Sequence, residues 1–516
     1  MSAKRIAIIG AGISGIAAVK ACREQGFTSI VCYERTDHIC GLWRYSEDDD
    51  NDVDGNAMIM KTLVSNTSKE MTAYSDIPVP EDYPNFMVNS YMSKYLQHCA
   101  DSISFDKYVK FKHQVITCRP NLDYDLTGQW SLTVMDLVSG QVFTDICSGV
   151  MVCTGLNNRP VMPEFTDQHR FKGQIIHSRN YRKPSAVYEN RTVVVVGIGN
   201  SGGDIAVELS TVAKKLYLST RSGSWIVRRV GFRGQPFDTQ FHRRVLNTII
   251  GLTPYRMQCY FGELYVNTKF NHRLYDLKPD HRLFAQHPMV NDDLPNRILS
   301  GFVTVRPDID RFTENGVIFK GDTDVTPCDT VVMATGYELS YPFIPGSVLP
   351  ITKANFNLYK NVFYPHLKHA HTLAIIGCVQ PNGAIPPLAE LQTRWFCRLM
   401  AGELQLPTAD KMLKDIKRKN RWIRKRFHSP ERHSLEVHWI PYMDQLAAIL
   451  GVKPKLFKYF FTDPVLWWHL FFGPCVPYQY RLNGPNSQFK QSRQLIVTVD
   501  QRIRAPLSTR TRPKKL

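Results

Sequence analysis

Lys4-Arg5-Ile6-Ala7-Ile8-Ile9-Gly10-Ala11-Gly12-Ile13-Ser14-Gly15 is the stretch whose reading decides the fold. Ile6 to Ile9 is an apolar run of the length of one buried parallel strand. It breaks at a GxGxxG loop, and helix-period residues follow through Ala21. The first glycine permits a tight turn, the second lets a pyrophosphate approach the backbone, and the third lets helix pack on strand. The helix N-terminus adds free N–H groups and a partial positive charge. A second strand, Ser29 to Tyr33, ends in Glu34, nineteen positions after Gly15. A carboxylate at that distance accepts hydrogen bonds from ribose hydroxyls and repels a 2′-phosphate. Gly10, Ala11, Gly12, Ile13, Ser14, Gly15 and Glu34 are therefore candidate binding residues for FAD or NAD, not NADP.

A second unit of the same kind stands further along. Val193 to Val196 leads into Gly197-Ile198-Gly199-Asn200-Ser201-Gly202-Gly203-Asp204 and a helix. The next strand, Leu216 to Ser219, runs into Thr220 and Arg221, nineteen positions after Gly202. A guanidinium at that point matches a 2′-phosphate, so this site is expected to take NADP(H). Gly197, Gly199, Asn200, Ser201, Gly202, Gly203, Asp204, Thr220 and Arg221 are its candidate residues. Similar strand ends at Gly149–Gly155 and Asp329–Tyr337 suggest two crossings between domains, with the second unit inserted into the first.

The chain of 516 residues is 43% hydrophobic and 21% charged, a globular composition with room for two to three domains. Its formal charge of +18 raises nucleic acid, a membrane surface or anionic cofactors as partners. Twelve cysteines occur without a CxxC pair or zinc spacing, so no metal site and no disulfide framework is expected. That also argues against a flavin disulfide reductase. No signal peptide precedes the first strand, and no run of about eighteen apolar residues predicts a membrane-spanning helix. Asp48–Asp54 reads as a short acidic loop. Cys40-Gly41-Leu42-Trp43 reads as a tight turn whose Leu42 and Trp43 pass over a flat cofactor or sit in the core. Thr67 and Glu70 have capping-box spacing, which predicts a helix start, and Asn66-Thr67-Ser68 formally matches a glycosylation sequon. Tyr91–Lys112 reads as helix and connector, and Trp130–Val134 with Gln141–Phe143 as paired strands.

Phe171-Lys172-Gly173-Gln174-Ile175-Ile176-His177-Ser178-Arg179-Asn180-Tyr181, lying between two GxGxxG sites, resembles the F-x-G-x-x-x-H-x-x-x-Y signature of flavin-containing monooxygenases. Asn66–Met71, Asn200–Asp204, Asn291-Asp292-Asp293-Leu294-Pro295 and Ala334–Tyr337 extend the resemblance over nearly the whole chain. It resembles the animal dimethylaniline monooxygenase (N-oxide-forming) type. His281-Arg282 and Gln286-His287-Pro288, in the insertion 225–300, are most similar to the branch with Baeyer–Villiger activity.

The resemblance implies an α/β fold with two Rossmann-like domains and a mostly helical C-terminal part. Its FAD-binding domain comprises 1–160 and 330–445, the NADP-binding domain 161–329, and a C-terminal region with membrane contact 446–516. It implies FAD and NADPH as cofactors and a C4a-hydroperoxyflavin that oxygenates amines and sulfides of xenobiotic-like substrates. Ketone oxidation to esters and a weakly coupled NADPH oxidase are the alternatives, with a non-catalytic NADPH sensor behind them. Asn66 is the catalytic residue it implies, with Leu42, Trp43, Ser65 and Thr67 at the cofactor. Expected partners are a small-molecule substrate, O₂, a peripheral membrane contact and a homo-oligomeric copy, but not nucleic acid. The resemblance places the protein on the cytoplasmic face of the endoplasmic reticulum membrane. The chain departs from the family in Cys40, where a glycine is usual, and in ending at Lys514-Lys515-Leu516 without the apolar anchor, which leaves a cytosolic alternative. The basic stretch Lys411–Arg426 and aromatic Phe457–Phe472 are the stretches expected to meet a bilayer.

Overall fold

A computed structural model describes residues 4–47, 59–352 and 354–509. The acidic stretch 48–54 and the tripeptide 514–516 lie outside these residues. Two parallel five-stranded sheets organise the chain. In the first, Arg5–Ile9 is central, flanked by Ser29–Tyr33 and Val109–Lys110 on one side and by Gly149–Val152 and Leu373–Ile375 on the other. In the second, Thr192–Val196 is central, flanked by Lys215–Ser219 and Thr304–Arg306, then by Thr330–Met333 and Gln174–His177. Ile6, Ala7 and Ile8, and Val193 to Val195, are fully buried, as central strands covered on both faces must be. Helices Ile13–Glu24 and Asn200–Leu209 follow the two glycine loops.

The strand Thr330–Met333 pairs with Val193–Val196 in the second sheet. The return crossing therefore falls after Met333, not at residue 330. Arg159–Pro160 and Tyr337–Glu338 pair antiparallel, so the outward and return crossings run side by side. His177 of the F-x-G-x-x-x-H-x-x-x-Y pattern hydrogen-bonds through Nε2 to the Gly336 carbonyl at 3.2 Å and packs on Tyr337. A Cβ on Gly173 would lie 2.5 Å from the Asp329 carbonyl oxygen. Tyr181 is buried in the core of the second unit. The pattern thus stitches an edge strand to the return crossing.

The expected pair of strands near Trp130 is a three-stranded antiparallel sheet, His113–Pro120, Trp130–Asp136 and Val142–Cys147. The capping box is replaced by another arrangement. The short helix Lys69–Thr72 starts after Ser68, and Glu70 turns inward to accept hydrogen bonds from Arg502 and Tyr478.

The C-terminal part is not a separate surface layer. The expected boundary at 446 falls inside the helix Trp439–Ile449, and Leu446, Tyr459, Leu466, Leu470, Tyr478 and Tyr480 join the core around the first helix. The reason is electrostatic as well as apolar. Fully buried Arg481 reaches Glu24 at 2.8 Å, Glu390 at 3.0 Å and Asp76 at 3.1 Å, and Lys20 reaches Glu390 at 2.5 Å. Charges taken out of water persist only when paired in this way. Arg481 therefore ties the C-terminal segment to the helix of the first glycine loop.

Candidate functional site

The two glycine loops are near copies. Gly10 has φ +102°, and a Cβ there would lie 2.8 Å from the Cys153 carbonyl oxygen; Gly197 has φ +106° and would meet that of Ala334 at 2.5 Å. A Cβ on Gly15 would sit 2.0 Å from the Gly10 oxygen, and one on Gly202 only 1.9 Å from the Gly197 oxygen. The chain itself forbids side chains at these four positions. The middle glycines differ. A Cβ on Gly12 would touch only Gly41 backbone, its closest atom at 3.6 Å, and one on Gly199 would meet nothing within 4 Å. Both have extended backbone that any residue adopts. Packing forces glycine at neither position: Gly12 is in ordinary contact with the Gly41 backbone, and at Gly199 no protein atom closes the approach to the helix N-terminus.

The residues beyond each loop complete the cradles. Glu34 is 9% exposed and accepts from the Ala11 N–H at 2.7 Å and from Thr36 N–H and Oγ1 at 3.0 and 2.9 Å. It thus braces the glycine loop with its carboxylate beside it. Thr154 Oγ1, at the end of the adjoining strand, is buried with no partner among the described residues. Ser14 lies under Gly377, whose added Cβ would stand 2.4 Å from its Oγ, while Ile13 sits half-buried against the core. Cys40 takes φ +79°, and the turn still brings Gly41 against Gly12, with an added Cβ 3.1 Å from the Gly12 Cα. The departure from glycine at 40 therefore does not open the turn. Leu42 is exposed, and Trp43 is half-buried against the core, its carbonyl held by Ser93. A cavity of about 520 Å³ lies between Asp37–Arg44 and the helix Asn89–Ser102; neither glycine loop lines it.

At the second loop, Thr220 Oγ1 accepts from the Gly223 N–H at 3.0 Å, and Arg221 is exposed at the end of its strand. Ser201 is exposed, and Gly203 packs against Met289. Three consecutive residues of the insertion then link this loop to Asn66. Val290 N–H donates to Asn200 Oδ1 at 2.8 Å, and Asn291 Nδ2 donates to Asp204 Oδ1 at 2.7 Å. Asp292 accepts from the Arg229 main chain at 3.0 Å and from its Nη1 at 3.2 Å. Arg229 donates in turn to Asn66 Oδ1 at 2.8 Å and to the Ser65 carbonyl at 3.1 Å. Burial pushes the Asp204 carboxyl up to about 6 despite the nearby Arg229 charge and the Asn291 bond.

Asn66 itself is exposed, on a loop held at both ends. Ser65 is buried, with Oγ donating to the Thr67 carbonyl at 3.0 Å, and Thr67 Oγ1 pairs with Thr72 Oγ1 at 2.8 Å. Beyond it, the Ser68 N–H donates to Asp238 Oδ2 at 2.6 Å, whose buried carboxyl is also pushed up to about 6 by desolvation. Arg229 and Asp238 were not legible in the sequence. Their only signal was an Arg- and Phe-rich insertion, while Asp292 lay within the Asn291–Pro295 motif. His281 is half-buried against His428, and His287 Nδ1 meets Glu436 Oε1 at 3.1 Å.

The FMO-like family model, described as flavin-binding monooxygenase-like, matches residues 3–515. Flavin-containing monooxygenase 5 of Homo sapiens is 42% identical over 512 residues, covering 99% of this chain and 94% of the relative. Among solved structures, S-allyl-L-cysteine S-oxygenase from Allium sativum superposes with a TM-score of 0.65 at 20% identity, covering 96% of this chain and 99% of that one. Cyclohexanone monooxygenase from Rhodococcus sp. Phi1, bound to NADP⁺, gives 0.63 at 15% identity, covering 87% of this chain and 97% of that one. The two structures establish the shared fold.

Proposed function

Because the chain belongs to the flavin-binding monooxygenase-like family, we propose that it oxygenates soft nucleophiles, small amines and sulfides, using NADPH and O₂. FAD is assigned to the loop Gly10–Gly15 and NADP(H) to Gly197–Gly203. The observation that carries this placement is the unequal crowding of the glycines. In both loops the first and third are forced by the protein's own backbone, while the second is not, which supports a ligand's claim on it. Bound FAD supplies hydride acceptance from NADPH and activation of O₂; position and dryness come from the chain.

Glu34, already beside Ala11, accepts from the ribose of the first nucleotide and excludes a 2′-phosphate. Arg221, exposed past the second loop, pairs with that phosphate. Asn200 is oriented by Val290, so that its helix N-terminus faces the second pyrophosphate. Asn66 turns its Oδ1 to Arg229, which leaves the amide NH₂ to donate at the junction of the two cofactors. Leu42 and Trp43, next to the Gly41 that lies against Gly12, are assigned to the first cofactor, and Ser65 and Thr67 shape the Asn66 turn. The domain division that follows is an FAD unit around the first sheet and an NADP unit around the second, with the return crossing after Met333.

Oxidation of ketones is the second activity. His281 packs beside His428 and His287 is engaged by Glu436, and heteroatom oxygenation is ranked first on the family resemblance. Product analysis with NADPH, methyl phenyl sulfide and 2-heptanone tests the ranking. Sulfoxide as the main product is expected; ester alone reverses it, and hydrogen peroxide with neither product refutes oxygen transfer.

A membrane contact is the second reading. Among the described residues no helix is long and apolar enough to cross a membrane. Leu252, Tyr260, Phe261 and Leu264 of the insertion, with Phe457, Phe461 and Trp468, are nonetheless large exposed apolar side chains. The helices Arg244–Leu252 and Pro464–Phe472 pack on each other, and the basic helix Ala409–Arg426 ends against Tyr255. Such a face suits the cytoplasmic leaflet of an endoplasmic reticulum membrane. Salt-sensitive cosedimentation with anionic vesicles is expected, and full recovery in the supernatant at low salt refutes it.

A further inference from the structure

We propose that Arg229 is a positioning residue that decides which way the Asn66 carboxamide faces. The inference rests on the assignment of Asn66 as the donor at the two cofactors, and goes beyond it by naming what keeps that donor turned outward. The two ends of an asparagine amide are nearly equal in size, so shape alone does not choose between them. A guanidinium does choose. It carries only donors, and the Asn66 atom that faces it at 2.8 Å must therefore be the oxygen. The flipped amide would set its NH₂ against N–H groups and a positive charge. With Oδ1 engaged, both Nδ2 hydrogens point away from Arg229, and Asn66 is exposed there.

Arg229 is itself held rigidly. Nε donates to the Ser65 carbonyl at 3.1 Å and Nη2 also reaches the Val64 carbonyl at 3.4 Å. Nη1 and the main-chain N–H both go to Asp292, and only 10% of the side chain is exposed. One planar fork thus serves three acceptors of the Val64–Asn66 run, which a lysine's single ammonium cannot match in geometry. Arg229 follows the short strand Ile226–Val227, paired with Met289–Val290. Those residues adjoin Asn291, which bonds to Asp204 of the second glycine helix, and Asp292, which holds Arg229. The insertion therefore sets the orientation of a side chain that belongs to the first unit.

The test uses the FAD-loaded enzyme and compares Asn66→Ala, Arg229→Gln and the double variant. Glutamine offers both a donor and an acceptor, so it accommodates either face of Asn66. Equilibrium titration of NADP⁺ against the flavin spectrum gives the Kd, and peroxide released per NADPH gives the coupling. Arg229→Gln is expected to weaken NADP⁺ roughly tenfold and raise peroxide release. In the Asn66→Ala background the same substitution should change neither, because the group it orients is gone. Equal effects in both backgrounds overturn the proposal, since a general structural loss would add. If Asn66→Ala alone leaves Kd and coupling unchanged, the assignment of Asn66 fails; if it matters and Arg229→Gln does not, the positioning role fails. Should Arg229→Gln be recovered without FAD, Arg229→Met replaces it, keeping the stem but losing every donor that selects Oδ1. A rise in Kd that is absent in the Asn66→Ala background then supports the proposal, and no rise, or an equal rise in both backgrounds, overturns it.

Discussion

Replacing Gly199 by alanine separates the needs of the fold from those of the ligand. The added methyl meets no protein atom within 4 Å, and the φ of −78° and ψ of −175° suit an L-residue. Gly→Ala at a compatible site stabilises by about 0.4–1 kcal/mol through the unfolded chain. Gly199 is also the residue before the helix, where alanine is clearly worse than glycine, so up to about 1 kcal/mol is returned. The net change in the protein without nicotinamide cofactor is therefore within about 1 kcal/mol, or roughly 2–4 °C in Tm for a domain of about 150–250 residues. The methyl fills the path by which a pyrophosphate reaches the helix N–H groups. Loss of one charge-assisted hydrogen bond, about 1.5–3 kcal/mol, weakens NADP⁺ about 10- to 150-fold. Thermal unfolding without NADP⁺ and an NADP⁺ titration of the FAD-loaded enzyme measure the two quantities. Gly202→Ala is the control: its Cβ would sit 1.9 Å from the Gly197 oxygen, and the second unit should fail to fold. An unchanged NADP⁺ Kd in Gly199→Ala, or a Tm loss as large as that of Gly202→Ala, would refute the reasoning.

Arg221→Ala should raise the KM for NADPH by about 10- to 150-fold, the worth of a charge-assisted phosphate contact, with little change for NADH; equal effects on the two cofactors would remove Arg221 from the 2′-phosphate. Cys40→Gly relieves a left-handed backbone worth about 1–2 kcal/mol and gives up burial of a small side chain worth about 1 kcal/mol. Glycine's extra freedom in the unfolded chain costs about 0.4–1 kcal/mol more, which cancels the gain; the Tm should stay within a few degrees of the parent's, and in the parent the Cys40 thiol, pushed up to about 12 by burial, should resist iodoacetamide at neutral pH. Asp238, raised from 3.8 to about 6 by burial, binds its proton more tightly folded than unfolded, so its contribution to stability falls as pH rises through that window. Between about pH 5 and 7 the loss is about 1.3 kcal/mol, and comparison of urea midpoints should show the parent losing about that much more than Asp238→Asn, which keeps the similar loss from Asp204. Arg481→Met should destabilise by about 3–5 kcal/mol, because Glu390 and Asp76 lose a buried partner; urea midpoints that differ by less than 1 kcal/mol would mean that the buried network relaxes.

What could be read from the residues alone is local. A strand, a glycine loop and a helix follow one another directly, Arg5 to Glu24 and Thr192 to Leu209, and the crowding at the first and third glycines comes from the same turn or from the strand beside it. The strand length puts Glu34 beside its loop, where it accepts from the Ala11 N–H, and leaves Arg221 exposed just past its own strand. The turn at Cys40 shows the limit of that locality: its φ of +79° could not be read from the residue, because the core packing around it holds it there. The rest needed the fold. Thr330–Met333 looks like any buried strand, and only its pairing with Val193–Val196 assigns it to the second sheet. Arg481 and Glu24 are 457 positions apart, and Arg229 and Asn66 are 163 apart. Neither pair leaves a periodicity or spacing in the chain, because a hydrogen bond depends on where two segments meet in space and not on the number of residues between them.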